Sequence, residues 1–220
     1  MIHEKRKIIQ SLYFPMLFVA LIWIIRLGEM VTQIDLGFLG VYPRKLHGLI
    51  GILTSPLLHA DLKHIFANSI PLLVLGGCLF YFYKELAVKT FLWIYVITGL
   101  CVWTGGREAY HIGASGVVYG LAAFLFFSGI IRRDGKLLAI TLLVTFLYGS
   151  MVWGIFPDFF PDQNISFESH FWGMVTGAIL AVYFRKIGPQ KPKYDWEEED
   201  ETIESTGEVI LKEDETIPDK

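Results

Sequence analysis

The chain is short of charge, of cysteine and of any basic excess, and each shortage closes off a class of protein. Charged residues are 19% of its 220 residues, where soluble domains average about 25%. Hydrophobic residues reach 53% and the mean hydropathy is +0.47. The charge is also unevenly spread. Residues 190–220 hold twelve of the 22 acidic residues and almost no long apolar run. Without that tail the remainder is too apolar for a water-soluble fold, which excludes a soluble enzyme and a disordered chain. A net charge of −3 leaves no basic surplus for a phosphate backbone, so no nucleic-acid partner is expected. Cys78 and Cys101 both lie inside apolar runs, and no disulfide framework or zinc site is visible. What remains is one membrane domain over residues 1–187 and an acidic tail over 188–220.

Six windows satisfy the length and apolarity of a transmembrane helix: 11–29, 64–83, 87–104, 115–131, 137–156 and 169–185. Lys5, Arg6 and Lys7 precede the first, as in a signal peptide. No small-x-small cleavage site follows, so this window reads as an uncleaved helix. With the N-terminus in the cytoplasm, the inner side receives Lys5, Arg6, Lys7, Lys84, Lys89, Arg132, Arg133, Lys136, Arg185 and Lys186. The outer side receives Arg26, Arg44, Lys45, Lys63 and Arg107. That bias places both termini in the cytoplasm. Between the first two windows, residues 46–58 are apolar but too short to span, and are expected to pack into the domain. Pro189 and Pro192 end the last window. The run Glu197–Glu201 repels itself, so the tail is expected to be disordered.

Polar residues are costly inside a membrane domain, and three groups of them stand out. His64 and Asn68, four apart, share a helix face near its outer end, with His59 just before the helix. Such a pair can donate two hydrogen bonds to one oxyanion; alone, it reads first as helix–helix glue. Gly113-Ala114-Ser115-Gly116 opens the fourth window. A serine there lies among unpaired N–H groups at the positive end of a helix; alone, it reads as an N-cap. His170 sits at the outer end of the sixth window, followed by Gly173 and Gly177. Alone, it reads as an interfacial or capping residue.

The three groups fall on one side of the membrane by span parity. Gly173 and Gly177 form a close-packing face that matches Gly116 and Gly120. Packing these faces together brings Ser115 and His170 to one height, where histidine can act as the base for serine. Tyr119, one turn after Ser115, is placed to pack on the imidazole. Asp158, Asp162 and Glu168 read as loop residues, so no acid orients His170 and a Ser-His dyad is expected. A transporter would place its ionisable groups near mid-membrane instead. His47, His59, His64, His111 and His170 lean to one side, but no carboxylate-bearing metal motif accompanies them, and neither metal nor cofactor is expected.

With His59-x4-His64-x3-Asn68, the G-x-S-G at Gly113–Gly116, and His170 with Gly173 and Gly177, the chain resembles the rhomboid intramembrane serine proteases over about residues 10–187. The resemblance implies an all-α bundle of six transmembrane helices. It implies cleavage of peptide bonds in or near the membrane segments of other proteins, so the partners are transmembrane substrates and the lipid bilayer. By position, Ser115 would be the nucleophile and His170 the general base. His64, Asn68 and the Ser115 N–H would form the oxyanion hole, and Tyr119 would stack on His170. Gly113 would let the loop approach the substrate, and His59 would support the first loop. The basic six-helix form suggests a prokaryotic inner-membrane member whose site opens outward. Two features depart from the family pattern. A Trp-Arg pair common in the first loop is replaced by Ile50-Gly51, which bears on loop anchoring and not on the chemistry. Ser169 stands where alanine is frequent. Phe159 and Phe160, in the Pro-rich loop 156–162, read either as a cap over the site or as an interfacial aromatic belt. Asn164-Ile165-Ser166 fits a glycosylation sequon.

Overall fold

The structure, a computed structural model, describes residues 2–156 and 165–190. The acidic run, Phe159, Phe160 and Asn164 therefore lie outside the described residues. Within them the chain is helical. The seven α-helices are α1 (Ile2–Thr32), α2 (Gly51–Thr54), α3 (Leu62–Phe82), α4 (Ala87–Gly105), α5 (Ser115–Arg132), α6 (Gly135–Tyr148) and α7 (Phe167–Tyr183). No strand forms among the described residues, and Val41 and His111 make an isolated antiparallel bridge.

Four helices are long and apolar enough to cross a membrane: α1 over His3–Thr32, α3, α4 and α5. Large apolar side chains point away from the protein, among them Leu17, Ile24 and Val31 on α1 and Leu142 and Phe146 on α6. An outward apolar surface on helices of this length is what lipid solvates and water does not. The protein is thus a multi-pass integral membrane protein. All six expected windows coincide with helices, α1 running well past its 11–29 window at the start, and two shifted boundaries bear on the site. The α-helix of the fifth window ends at Tyr148, and Gly149–Ile155 continues as a tighter 3-10 helix. The last helix starts at Phe167, which brings Glu168, expected in the loop, into its first turn.

Local chemistry sets the helix ends. The Asp61 carboxylate accepts from the His64 N–H at 2.7 Å and starts α3. Asp134 accepts from the N–H groups of Lys136 and Leu137 and starts α6. Ser166 accepts from the Ser169 N–H and starts α7. These oxygens satisfy donors that a helix start leaves without intrahelical partners. At the other end of the bundle the Arg132 guanidinium is buried. It donates to the carbonyls of Phe184 (2.6 Å), Ile187 (2.8 Å) and Pro189 (2.6 Å) and, through Nε, to Ser128 Oγ. A residue counted in the sequence as a loop charge is therefore the C-terminal cap of α7, placing its cation where the helix dipole is negative.

The core positions the site through α5 and α7. Their backbones touch at two successive turns. A Cβ at Gly173 would land on the Gly116 carbonyl, and one at Gly177 on the Gly120 carbonyl. The small-residue faces read in the sequence pack as their spacing requires.

The segment from 33 to 61 is pinned to the same end of the bundle. Val41 and His111 exchange backbone hydrogen bonds at 2.8 and 3.0 Å. The Arg44 N–H donates to the Trp103 carbonyl, and its guanidinium to the Gly106 carbonyl. Trp103 Nε1 donates to the Lys45 carbonyl, and the Tyr95 hydroxyl to that of Leu53. Gly51 lies directly on the backbone of Gly40 and Val41, and a Cβ there would overlap both. The Ile50-Gly51 pair thus marks a crossing of two chain segments, with Arg44 and Trp103 anchoring the loop.

Candidate active site

Ser115 is the first residue of α5, and Ala114, not Ser115, is the N-cap. The first backbone bond of this helix runs from the Val118 N–H to the Ala114 carbonyl. The N–H groups of Ser115, Gly116 and Val117 precede the ladder, at the positive end of the helix dipole. The approach to Ser115 is fixed by Gly113, whose φ of +110° lies in a region that L side chains rarely adopt. Its N–H donates to the Ser55 carbonyl at 2.8 Å. The His64 ring lies against this glycine so closely that a Cβ would sit 2.6 Å from Cε1 and 2.7 Å from Nε2.

His64 and Asn68 occupy one face of α3, as their spacing predicts. Asn68 is buried and donates one amide hydrogen to the His64 carbonyl at 2.9 Å, leaving its second hydrogen for another acceptor. His59 is 2% exposed and packs edge-on against His64, ring centroids 5.0 Å apart. Among the described residues neither of its ring nitrogens has a partner with hydrogen-bond geometry. Burial, helped by the neighbouring His64, pushes its pKa down to about 3; the Leu57 backbone only partly opposes this. His59 is therefore a neutral packing residue behind His64.

His170 lies on the first turn of α7 and is 8% exposed. It stacks on Tyr119 of α5 with ring centroids 4.2 Å apart and planes 8° from parallel. Nδ1 is 2.7 Å from the carbonyl oxygen of Gly154, in the 3-10 turn after α6. A carbonyl only accepts, so Nδ1 carries the hydrogen and Nε2 of the neutral ring is left as a base. Glu168 points elsewhere and pairs with Arg107 at 2.9 Å. The group that orients His170 is thus a backbone carbonyl. The sequence did not reveal it, because a carbonyl belongs to every residue; the change from α to 3-10 helix after Tyr148 is what aims it. Ser115 and His170 stand on the first turns of α5 and α7, which pack together through Gly116 and the Ser169 carbonyl.

The structure therefore gathers the sequence candidates at one end of the bundle. Gly113 and Ser115 lie at the start of α5 and His64 covers Gly113. Gly116 packs on the Ser169 carbonyl, and Tyr119 holds His170. A cavity of about 20 Å³ behind the loop is lined by Ser55, Thr98, Gly113, Gly116 and Ser169, among others. Among the described residues no three His, Cys, Asp or Glu side chains come together as metal ligands.

The site is thus a serine at a helix start, a histidine on the facing helix and a histidine-asparagine face on a third, all within a helical membrane bundle. The comparisons with known proteins give the family. The Rhomboid domain model matches residues 46–187, and the chain belongs to the rhomboid family, a family of intramembrane serine proteases. An uncharacterized protein of Mycobacterium tuberculosis is 37% identical over 175 residues, covering 74% of this chain and 71% of that relative. One from Mycobacterium leprae is 33% identical, covering 74% and 67%. A relative from Acanthamoeba polyphaga mimivirus, whose name includes the word rhomboid, is 26% identical over 141 residues, covering 62% of this chain and 75% of its own.

Proposed function

We propose that the protein is an intramembrane serine endopeptidase that hydrolyses peptide bonds in or near transmembrane segments of other proteins, with Ser115 and His170 as its dyad. The observation that carries this reading is the environment of His170. Stacking on Tyr119 and the bond from Nδ1 to Gly154 fix one tautomer with a basic Nε2, on the helix locked by glycines against the helix that Ser115 opens. A merely structural histidine needs none of this alignment.

In the proposed reaction Ser115 Oγ attacks the scissile carbonyl carbon as His170 Nε2 takes its proton. The carbonyl oxygen becomes an oxyanion, held by the Ser115 N–H with His64 and Asn68 as side-chain donors. The C–N bond breaks as the imidazolium returns its proton to the leaving amine. Water, deprotonated by His170, then hydrolyses the acyl-enzyme and frees Ser115. The Gly154 carbonyl and the Tyr119 face hold the transient imidazolium. In this reading α6 and α7 also cross the membrane, giving six spans. The basic-residue count then puts both termini in the cytoplasm and opens the site to the other side, in a prokaryotic inner membrane. The acidic segment after residue 187 forms a separate tail.

The test is labelling by a fluorophosphonate serine probe in detergent, with cleavage of a transmembrane reporter as its companion. Wild type should label, and Ser115→Ala and His170→Ala should not. Folded wild type that neither labels nor cleaves would overturn the reading in favour of a relative that binds membrane proteins without cutting them.

A further inference from the structure

We infer that His111, Ser166 and Ser169, flanked by the Arg107–Glu168 pair, form a proton-sensitive positioning chain that ties the first turn of α7 to the segment leading into α5, and so sets His170 against Ser115. The inference rests on the proteolytic reading and adds to it a control acting through residues that touch no substrate.

The chain is continuous. His111 is 3% exposed, with Nε2 3.0 Å from the Arg107 carbonyl and Nδ1 2.6 Å from Ser166 Oγ. Ser166 Oγ is 2.6 Å from Ser169 Oγ and accepts from the Ser169 N–H at 3.3 Å. Ser169 precedes His170, and its carbonyl packs on Gly116, next to Ser115. Beside this chain Arg107 donates to both Glu168 oxygens, through its backbone N–H at 3.2 Å and its guanidinium at 2.9 Å, and to the Ile165 carbonyl at 2.7 Å. The segment carrying His111 and Arg107 runs on through Gly113 into Ser115. One polar cluster therefore holds both halves of the proposed dyad.

The direction of the hydrogen bonds follows from chemistry. The Arg107 carbonyl only accepts, so Nε2 carries the hydrogen of the neutral ring and Nδ1 accepts from the Ser166 hydroxyl. Ser169 then donates to Ser166. A proton on Nδ1 makes it a donor. The Ser166 hydroxyl must turn, its hydrogen moves toward Ser169, and the Ser169 hydroxyl loses its acceptor. The new charge also lies 3.9 Å from the Glu168 carboxylate and competes with Arg107 for it. Nearby, Arg44 and Glu108 pair with each other at 3.7 Å, and Arg44 donates to the Gly106 carbonyl. From the 33–61 segment the Val41 backbone bonds that of His111, and Gly40 packs against the His111 carbonyl.

Burial pushes the His111 pKa below its ordinary value, with the Arg107 carbonyl and Glu168 pulling it partly back and the Arg107 charge adding to the fall. The ring is therefore neutral at neutral pH. A histidine whose folded value is depressed contributes stability above its unfolded value of 6.5, and that stability is lost as the pH falls below it. Acid thus loosens the contact and alkali restores it.

The test compares full-length wild type, Ser166→Ala and His111→Gln in detergent. Glutamine presents one donor and one acceptor, as the neutral ring does, but cannot take up a proton. At about pH 7.5, Ser166→Ala should label with the fluorophosphonate about tenfold more slowly, as expected of a small misplacement, and His111→Gln should stay within about twofold of wild type. Hydrogen exchange at residues 165–170, corrected for intrinsic rates, should show wild type losing protection from about pH 7.5 to about pH 5.5 while His111→Gln keeps it. Wild-type labelling by Ser166→Ala, or equal loss of protection in wild type and His111→Gln, would overturn the inference. Folded wild type that does not label overturns the proteolytic reading alone, since the exchange comparison needs no activity.

Discussion

His170 donates its Nδ1 hydrogen to the carbonyl oxygen of Gly154 at 2.7 Å, so the 3-10 turn after α6 fixes the tautomer of a histidine on α7. A side chain at Gly154 would intrude on that arrangement. A Cβ there would overlap the Tyr119 hydroxyl and lie 3.4 Å from His170 Nδ1. Gly154→Ala should therefore lower kcat for reporter cleavage by about tenfold to a hundredfold while changing KM little, since it disturbs the base and not substrate binding. Steady-state kinetics in detergent checks this.

On the proposed mechanism, the oxyanion donors should be partly redundant. His64→Ala or Asn68→Ala should each slow cleavage by about 10²–10³ without abolishing it, the usual loss for one donor among several. Ser115→Ala should abolish turnover, because no other nucleophile replaces its Oγ. Comparing the three variants at saturating reporter separates these outcomes.

The glycine faces of α5 and α7 leave no room for even one carbon. Gly177→Ala forces a methyl into the Gly120 carbonyl and should cost about 1–3 kcal/mol of stability, as overpacking does. Gly28→Ala, with nothing among the described residues within 4 Å of the added carbon, should be silent or slightly stabilising. Denaturant titration of both variants in one detergent gives the comparison.

At the far end, Arg132→Met should destabilise the protein by about 2–3 kcal/mol, because charge-assisted bonds to three carbonyls and to Ser128 vanish together. The loss should appear as fraying of the last turn of α7 and of residues 184–189, measured by hydrogen exchange, with the labelling rate of Ser115 less affected than the unfolding midpoint.

The helices were legible because each is an apolar run of sufficient length bounded by charge, glycine or proline, which is what a bilayer demands of a helix. The candidate site residues were legible for a related reason: polar groups at helix ends are conspicuous in an apolar chain, and four-residue spacings put His64 with Asn68 and Gly173 with Gly177. The rest depended on information that residue identity does not carry. The orienting group of His170 is a backbone oxygen. Met151-Val152-Trp153 continues an apolar run past the end of α6, so hydropathy does not mark where the α-helix tightens into 3-10. Arg132 and Glu168 look like loop charges until the fold shows one capping α7 and the other in its first turn. His111 has no sequence neighbours that mark its role, because its partners, Ser166 and the Arg107 carbonyl, are joined to it by the fold.

The backbone contact between α5 and α7 sets a mechanical condition on the whole molecule. Two helices keyed together by carbonyls seated on glycines have no side chains to rearrange at those two turns, so they move there as one body or not at all. Any displacement that admits a polypeptide to Ser115 must be borne by the pieces surrounding that joint. A single methyl added at the joint would displace the helix starts that carry Ser115 and His170 together.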